Sequence, residues 1–223
     1  EEATLSDANL EGANLSGAYL WKANLSGACL RGTDMTVANL VEADLNGANL
    51  DEAKLGGANL SSANFKGADL RYSSLAFAEL GGAMMLEAIL YQANLTKAHL
   101  RLTYLSKAEL SSANLTGANL SNAFLTNTSL QGANLYEAYL SGAYLKGAIL
   151  IGVENWTISQ LEQVEIIEGA IMPDGVKLLL WETDQQERTE DPTFEEWKKQ
   201  YLAKHGGNVG TLRDVKVLVD TTS

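Results

Sequence analysis

The sequence repeats with a period of five residues, and this period excludes most common folds. Leucine occupies 27 of the thirty positions spaced by five between Leu5 and Leu150, and Met35, Phe65 and Met85 occupy the other three. Alanine stands two residues earlier in 26 of the thirty units. The residue between them is most often Asn or Asp, and Gly is common two residues after the Leu. The register does not slip anywhere in this part of the chain.

A period of five fits neither an amphipathic helix nor an ordinary strand. On an α-helix, successive Leu would be rotated by about 140° and would point in every direction. On a strand, an odd period would move Leu to the opposite face at each repeat. The pattern therefore predicts an all-β solenoid, in which each unit forms one short extended side, with Ala and Leu pointing inward, and then turns a corner. The residues at the Leu positions, among them Leu45, Phe65, Met85, Leu105 and Leu125, are expected to line the core.

Units such as Ala13-Asn14-Leu15-Ser16-Gly17 and Ala48-Asn49-Leu50-Asp51-Glu52 resemble those of the pentapeptide-repeat family, whose consensus is A(D/N)LXX. The resemblance covers residues 1–150. It implies a right-handed quadrilateral β-helix with four pentapeptides per coil, which gives about 7–8 coils for this length. The family is abundant in cyanobacteria and most members have no assigned activity. One branch mimics DNA and acts on gyrase, a type II topoisomerase.

The repeat register fails after Leu150, which predicts a different structure for the C-terminal part. We expect a β-helix over 1–155, a cap helix and final strand over 156–175, and a small mixed α/β appendage over 176–223. Thr157 and Gln160 have capping-box spacing, so a short helix should follow Thr157. A second helix is predicted at about 194–205, after Thr193, which has Glu196 at capping-box spacing. Further strands are expected at 169–172, 176–181 and 214–219, with a turn at 173–175.

Twenty residues per coil would stack outward residues i and i+20. One such column reads Glu11, Arg31, Asp51, Arg71, with alternating charge, which favours a solvated ladder over a charged binding strip.

A second column is polar in the N-terminal half of the rod and apolar in the C-terminal half. Its polar residues are Thr4, Asn24, Asp44 and Asn64, and its apolar residues begin at Met84. With nearby outward residues it predicts an apolar patch around one corner of the C-terminal half, a feature typical of interfaces. The predicted contact residues are Tyr72, Met84, Leu86, Ile89, Tyr91, Leu102, Tyr104, Phe124 and Tyr144. Three alternatives remain open: the chain's own tail helix, with Phe194, Trp197 and Tyr201, covers the patch; a partner or second copy covers it; or it is simply exposed.

Charge and composition limit the function classes. The formal net charge is −12, which argues against direct nucleic-acid binding. Residues 1–150 carry 14 acidic and 9 basic side chains, whereas residues 151–223 carry 14 and 7. A DNA mimic needs a dense acidic array along the rod, and the gyrase-directed branch tends to use Phe at the central position, where this chain has Phe65 alone.

A single Cys excludes a disulfide framework, and the lack of eighteen consecutive apolar residues argues against a membrane span.

The sequence contains no catalytic, metal-binding or cofactor-binding motif. Cys29 is interpreted as an incidental thiol, and His99, between Glu79 and Asn119 in its column, has neither nucleophile nor cleft. The predicted function is a non-catalytic repeat scaffold for protein–protein interaction, through an unidentified partner or self-association. The alternative is a DNA-mimic modulator of gyrase. The cytoplasm is the favoured compartment, and the periplasm or thylakoid lumen would apply if an N-terminal signal had been removed.

Overall fold

In the computed structural model, residues 3–178 and 191–205 are described, and the former build a solenoid of stacked coils. Parallel β-bridges join residues twenty apart, from Thr4 and Asn24 to Asn134 and Glu154. Within residues 3–178 these bridges form four ladders, each of which takes every twentieth residue. Each bridge is a single residue long, so the sheet consists of short rungs. The N–H of Leu5 donates to Asn24 O over 2.7 Å, and the N–H of Asn24 donates to Ala3 O over 2.8 Å.

The corner of each unit explains the composition of the repeat. The second residue after every Leu-type position, from Asp7 to Gly152, has a positive φ between 52° and 69°. Glycine adopts this conformation without steric cost, which accounts for its frequency there. The Asn or Asp before the Leu accepts a hydrogen bond from the N–H two residues on, as when Glu11 donates to Asn9 Oδ1 over 3.2 Å. This Asx turn is the physical reason for Asn and Asp at that position.

Ala and Leu side chains fill the interior. From Leu20 to Leu150 the side chains at the Leu positions are buried, including Phe65, Met85 and Leu105, whereas Leu5 and Leu15 in the first coil are only partly covered. The other two residues predicted to line the core, Leu45 and Leu125, are buried as well.

Four hydroxyl residues replace Ala without leaving their polar atoms unpaired. Thr128 Oγ1 donates to Leu105 O over 2.7 Å, and Thr103 Oγ1 donates to Leu80 O over 3.0 Å. Each acceptor lies 23 residues earlier and therefore in the adjacent coil. A buried hydroxyl is tolerated here because it has an acceptor within reach.

A short helix interrupts the stack at its C-terminal end. Helix α1 spans Ile158–Leu161, with Thr157 as its N-cap and Gln160 completing the predicted capping box. Beyond it the bridges join Tyr144 to Ile166 and Ile149 to Ile171, a separation of 22 residues instead of twenty. Helix α1 therefore replaces one side of the last coil and adds two residues to it.

Gln160 ties α1 to the coil beneath. Its Nε2 donates to Ala138 O over 2.8 Å and to Leu135 O over 2.9 Å. In the preceding coils the Ala-position carbonyl accepts from the backbone N–H of the next coil, as Ala118 O does from Tyr139. The amide side chain thus takes the place of the N–H that a further coil would supply, and it caps the backbone edge.

A hairpin ends the parallel stack. The turn predicted at 173–175 is present, because Gly175 N–H donates to Met172 O over 2.8 Å. Lys177 then pairs antiparallel with Ile171. Of the strand predicted at 176–181, residues 179–181 lie outside the described residues, as does the strand predicted at 214–219.

Helix α2 spans Phe194–His205. The Glu196 carboxylate accepts from Thr193 N–H over 2.9 Å, and Glu196 N–H donates to Thr193 Oγ1 over 3.3 Å. The backbone N–H of Thr193, and to a smaller extent its hydroxyl, which donates to the same carboxylate over 2.9 Å, hold the pKa of Glu196 below its ordinary value. The helix thus begins with the reciprocal pairing that its sequence predicts.

Helix α2 packs over the C-terminal end of the rod. Trp197 is buried, and its Nε1 donates to the Asp174 carboxylate over 3.1 Å. The Trp156 ring lies 6.2 Å from that of Trp197 and 5.6 Å from that of Tyr201. The alternative in which this helix covers the apolar patch is therefore wrong, because its aromatic face is used at the end of the solenoid.

Candidate protein-contact surface

One bridge ladder carries a stack of aromatic side chains over the C-terminal half of the rod. Met84, Tyr104, Phe124 and Tyr144 follow one another along it. The ring centroids of Tyr104 and Phe124 are 4.9 Å apart at 7°, and those of Phe124 and Tyr144 are 5.1 Å apart at 12°. The rung spacing of a β-sheet, about 4.8 Å, imposes this separation. The exposed fraction is 46% for Met84 and 44% for Tyr104. We call these four residues the aromatic ladder.

The other predicted contact residues extend beyond one corner. Leu102 lies on the corner before Tyr104 and is exposed. Leu86 occupies the corner after Met84, and Ile89 belongs to the next ladder.

Tyr72 and Tyr91 form a separate pair at the following corner, with ring centroids 5.8 Å apart at 88°. The nine residues therefore spread over two neighbouring ladders and the corners beside them. They divide into the aromatic ladder with its flanks and a distant tyrosine pair.

Other exposed apolar side chains lie away from the predicted patch. Tyr19 and Tyr139 share a ladder with Glu79 and His99, and Phe77 projects from a corner with Lys97 Nζ 5.7 Å from its ring centroid. All occupy outward positions of the repeat. The stacking of residues i and i+20 would therefore have identified them from the sequence as exposed side chains. His99 Nδ1 lies 2.8 Å from Glu79 Oε2 on an exposed side of the rod.

The charged column pairs as its order suggests at Arg31 but not at Arg71. Arg31 lies 3.7 Å from Glu11 and 3.4 Å from Asp51. Arg71 instead binds Asp69, two residues away, with Nε donating over 2.8 Å, and this hydrogen bonding holds the pKa of Asp69 below its ordinary value against the opposing effect of its partial burial. Exposed pairs of this kind contribute about 0–1 kcal/mol each.

The aromatic ladder leads into a cleft of about 400 Å³ at the C-terminal end. Ile166 is the rung after Tyr144 and lines the cleft together with Phe194. Three acidic residues, Glu165, Glu168 and Glu195, also line it. The sequence does not predict this cleft, because it forms only where α2 meets the last coil.

Residues 3–178 and 191–205 contain no group of three His, Cys, Asp or Glu side chains placed to hold a metal ion. Neither of their helices is long and apolar enough to cross a membrane.

A five-residue unit, a left-handed corner residue and parallel bridges between successive coils define a class of β-solenoid repeat proteins. The family model for pentapeptide repeats matches the chain in eight copies. Together they occupy residues 1–36, 38–75, 63–101, 73–111 and 108–147. These matches cover more than half of the chain, which therefore belongs to the pentapeptide-repeat family.

Solved structures of pentapeptide repeat proteins resemble this one. HetL from the cyanobacterium Nostoc sp. strain PCC 7120, which is involved in heterocyst differentiation regulation, is 33% identical; the match covers 78% of this chain and 87% of HetL, with a TM-score of 0.49. A thylakoid-lumen protein of Arabidopsis thaliana is 32% identical over 54% of this chain and 70% of its own, with a TM-score of 0.38.

QnrB1, a plasmid-mediated fluoroquinolone resistance protein, is 18% identical, with 92% of this chain and 94% of its own covered and a TM-score of 0.46. No curated protein matches the chain.

Proposed function

We propose that this protein is a non-catalytic scaffold that binds a protein partner through the aromatic ladder and its flanks. The observation that carries the proposal is the contrast within one ladder. Asn24 and Asn64 occupy it in the N-terminal half, and Tyr104 and Phe124 occupy the equivalent rungs further on. The backbone pairing is the same in both halves, so the fold does not require aromatic side chains there.

The energetics of the exposed rings support a contact role. Stacking within the ladder covers only the ring faces, and Tyr104 as a whole residue stays 44% exposed. Burial of apolar surface stabilises a complex by about 25 cal/mol per Å², and aromatic side chains often dominate such interfaces. A rigid rod that holds the rings in place also loses little side-chain entropy on binding.

The same proposal includes the finer architecture. The rod is a right-handed quadrilateral β-helix of about 7–8 coils, supported by the four ladders with a period of twenty residues. Residues 1–155 form the β-helix, 156–175 its cap, and 176–223 the appendage. The cap hydrogen bonds of Gln160 and the docking of α2 at the end of the rod support this division.

A pull-down from lysate of the source organism tests the contact role. The double variant Tyr104→Asn/Phe124→Asn should stay folded, because Asn occupies the same rungs earlier in the ladder, and it should lose the captured partner. The matched control is Tyr19→Asn/Tyr139→Asn, which removes two exposed tyrosines from another ladder and should keep it. Equal capture by both variants would contradict the proposal.

The DNA-mimic alternative has less support. A phosphate-like array requires carboxylates along the rod, and from Met84 to Tyr144 the aromatic side carries Arg101, Lys107 and Lys146 against Glu87 alone. We expect no effect of the protein on DNA supercoiling by gyrase at micromolar concentration. Inhibition or protection of gyrase would replace the proposed function with this alternative.

A further inference from the structure

Between Met84 and Tyr144, the charges beside the aromatic ladder have the opposite sign to the protein as a whole, and the acidic residues Glu165 and Glu168 follow only beyond its last rung, in the cleft. Residues 81–150 contain four basic side chains, and three of them, Arg101, Lys107 and Lys146, lie on the corners on either side of this ladder. Of the three acidic residues in the same stretch, only Glu87 lies there, whereas Glu109 is on the next ladder. A strip with a net positive charge therefore frames exposed rings in a chain whose net charge is −12.

Two of these cations are available to a partner. Lys107 is partly neutralised by Glu87, whose Oε1 lies 3.5 Å from its Nζ. Arg101 and Lys146 are both exposed, and within the described residues neither forms an ion pair. Arg101 precedes Leu102 on one corner of the side, and Lys146 follows Tyr144 on the other. The two charges therefore lie on opposite edges of the apolar strip.

We infer that this side binds an extended segment of a partner protein that combines acidic with apolar or aromatic side chains. The inference rests on the proposed function and specifies the chemistry of its partner. Apolar groups of the segment would cover the rings, and its carboxylates would reach Arg101 and Lys146. A basic segment would meet repulsion at both edges, and a nucleic acid would meet the negative charge of the rest of the molecule.

The length of the ladder sets the size of the segment. Four rungs from Met84 to Tyr144 span three spacings of about 4.8 Å, close to 15 Å. An extended chain rises about 3.3 Å per residue, so about five residues cover the ladder. An eight-residue peptide is therefore a sufficient probe.

Fluorescence anisotropy on the full chain tests the inference with labelled octapeptides. Alternate side chains of an extended chain share one face, so the Glu-Phe probe is Glu-Ser-Phe-Ser-Phe-Ser-Glu-Ser, which presents two Phe between two Glu on that face. We expect it to bind, with at least tenfold weaker binding of the Lys-Phe analogue, in which Lys replaces both Glu, and of all-Glu. The variant Arg101→Glu/Lys146→Glu should weaken Glu-Phe binding at least tenfold. Its matched control, Lys54→Glu/Lys97→Glu, makes the same change in net charge on other parts of the rod and should bind like the unchanged protein.

The outcomes separate this inference from the proposed function. It is overturned if Glu-Phe does not bind at millimolar concentration, if Lys-Phe binds equally well, if oligouridine binds more tightly than Glu-Phe, or if both charge variants behave alike. If Tyr104→Asn/Phe124→Asn loses the lysate partner but Arg101→Glu/Lys146→Glu keeps it, the contact role stands and the acidic partner is wrong.

Discussion

Replacing Gln160 should open the C-terminal end of the solenoid. Its Oε1 accepts from Thr157 N–H over 2.7 Å, and its Nε2 donates to the carbonyls of Leu135 and Ala138. Gln160→Ala removes these three hydrogen bonds and a fourth, which Thr157 Oγ1 donates to Oε1 over 3.1 Å. Counting the two hydrogen bonds to the coil carbonyls at about 1–1.5 kcal/mol each, we expect a local loss of about 2–3 kcal/mol.

The backbone amides next to the cap provide the readout. Gly142 N–H donates to Gln163 O and Leu145 N–H donates to Ile166 O, so both amides lose protection when the cap opens. Their hydrogen exchange should accelerate about 30- to 150-fold, since 1.4 kcal/mol corresponds to a factor of ten. An interior amide such as Asn94 N–H, which donates to Ser73 O, should change little.

Two variants assign the effect to its cause. Gln160→Glu keeps an acceptor for Thr157 but places carboxylate oxygens against two carbonyls, so it should open the end at least as much as Gln160→Ala. Gln163→Ala removes an exposed side chain of the same type and should have no effect on exchange. Unchanged exchange at Gly142 and Leu145 in Gln160→Ala would refute the cap assigned to this side chain.

Three further predictions concern the core, the corners and the appendage. Leu105→Ala should lower the free energy of unfolding in urea by about 2–5 kcal/mol, because Leu105 is buried between coils; a loss under about 0.5 kcal/mol would contradict its place in the core. Val37→Gly should stabilise the rod by about 0.5–1 kcal/mol in the same assay, because a β-branched residue at φ 52° is strained and this one is exposed; a loss of stability would contradict that strain. The folded-state pKa of Glu196 is lowered, so its contribution to α2 should be complete above the unfolded value of about 4.3 and be lost as pH falls through the folded value, as monitored by Trp197 fluorescence. Glu196→Gln should remove this part of the pH dependence, and an unchanged pH profile would contradict the assignment.

Much of the rod could be predicted because its contacts recur at a fixed separation. Leu105 packs inward and Phe124 stacks on Tyr104 for the same reason: each unit is equivalent to the one twenty residues away. The period of five predicts which side chains point inward, and the four-unit coil that the family resemblance implies predicts the stacking of residues twenty apart. The two capping boxes were predictable too, because each depends on residues three apart.

Contacts without a periodic relation were decided only by the tertiary structure. The sequence identifies the apolar face of α2 but not its target, and three-dimensional packing places Trp197 against Trp156 and Asp174 at the end of the rod. Arg71 binds Asp69 and not its column neighbour Asp51, because the Asp69 carboxylate lies closer to it. The repeat does not specify this side-chain geometry. The period of five thus determined the rod itself, whereas the closing of its end depended on contacts between segments that share no repeat.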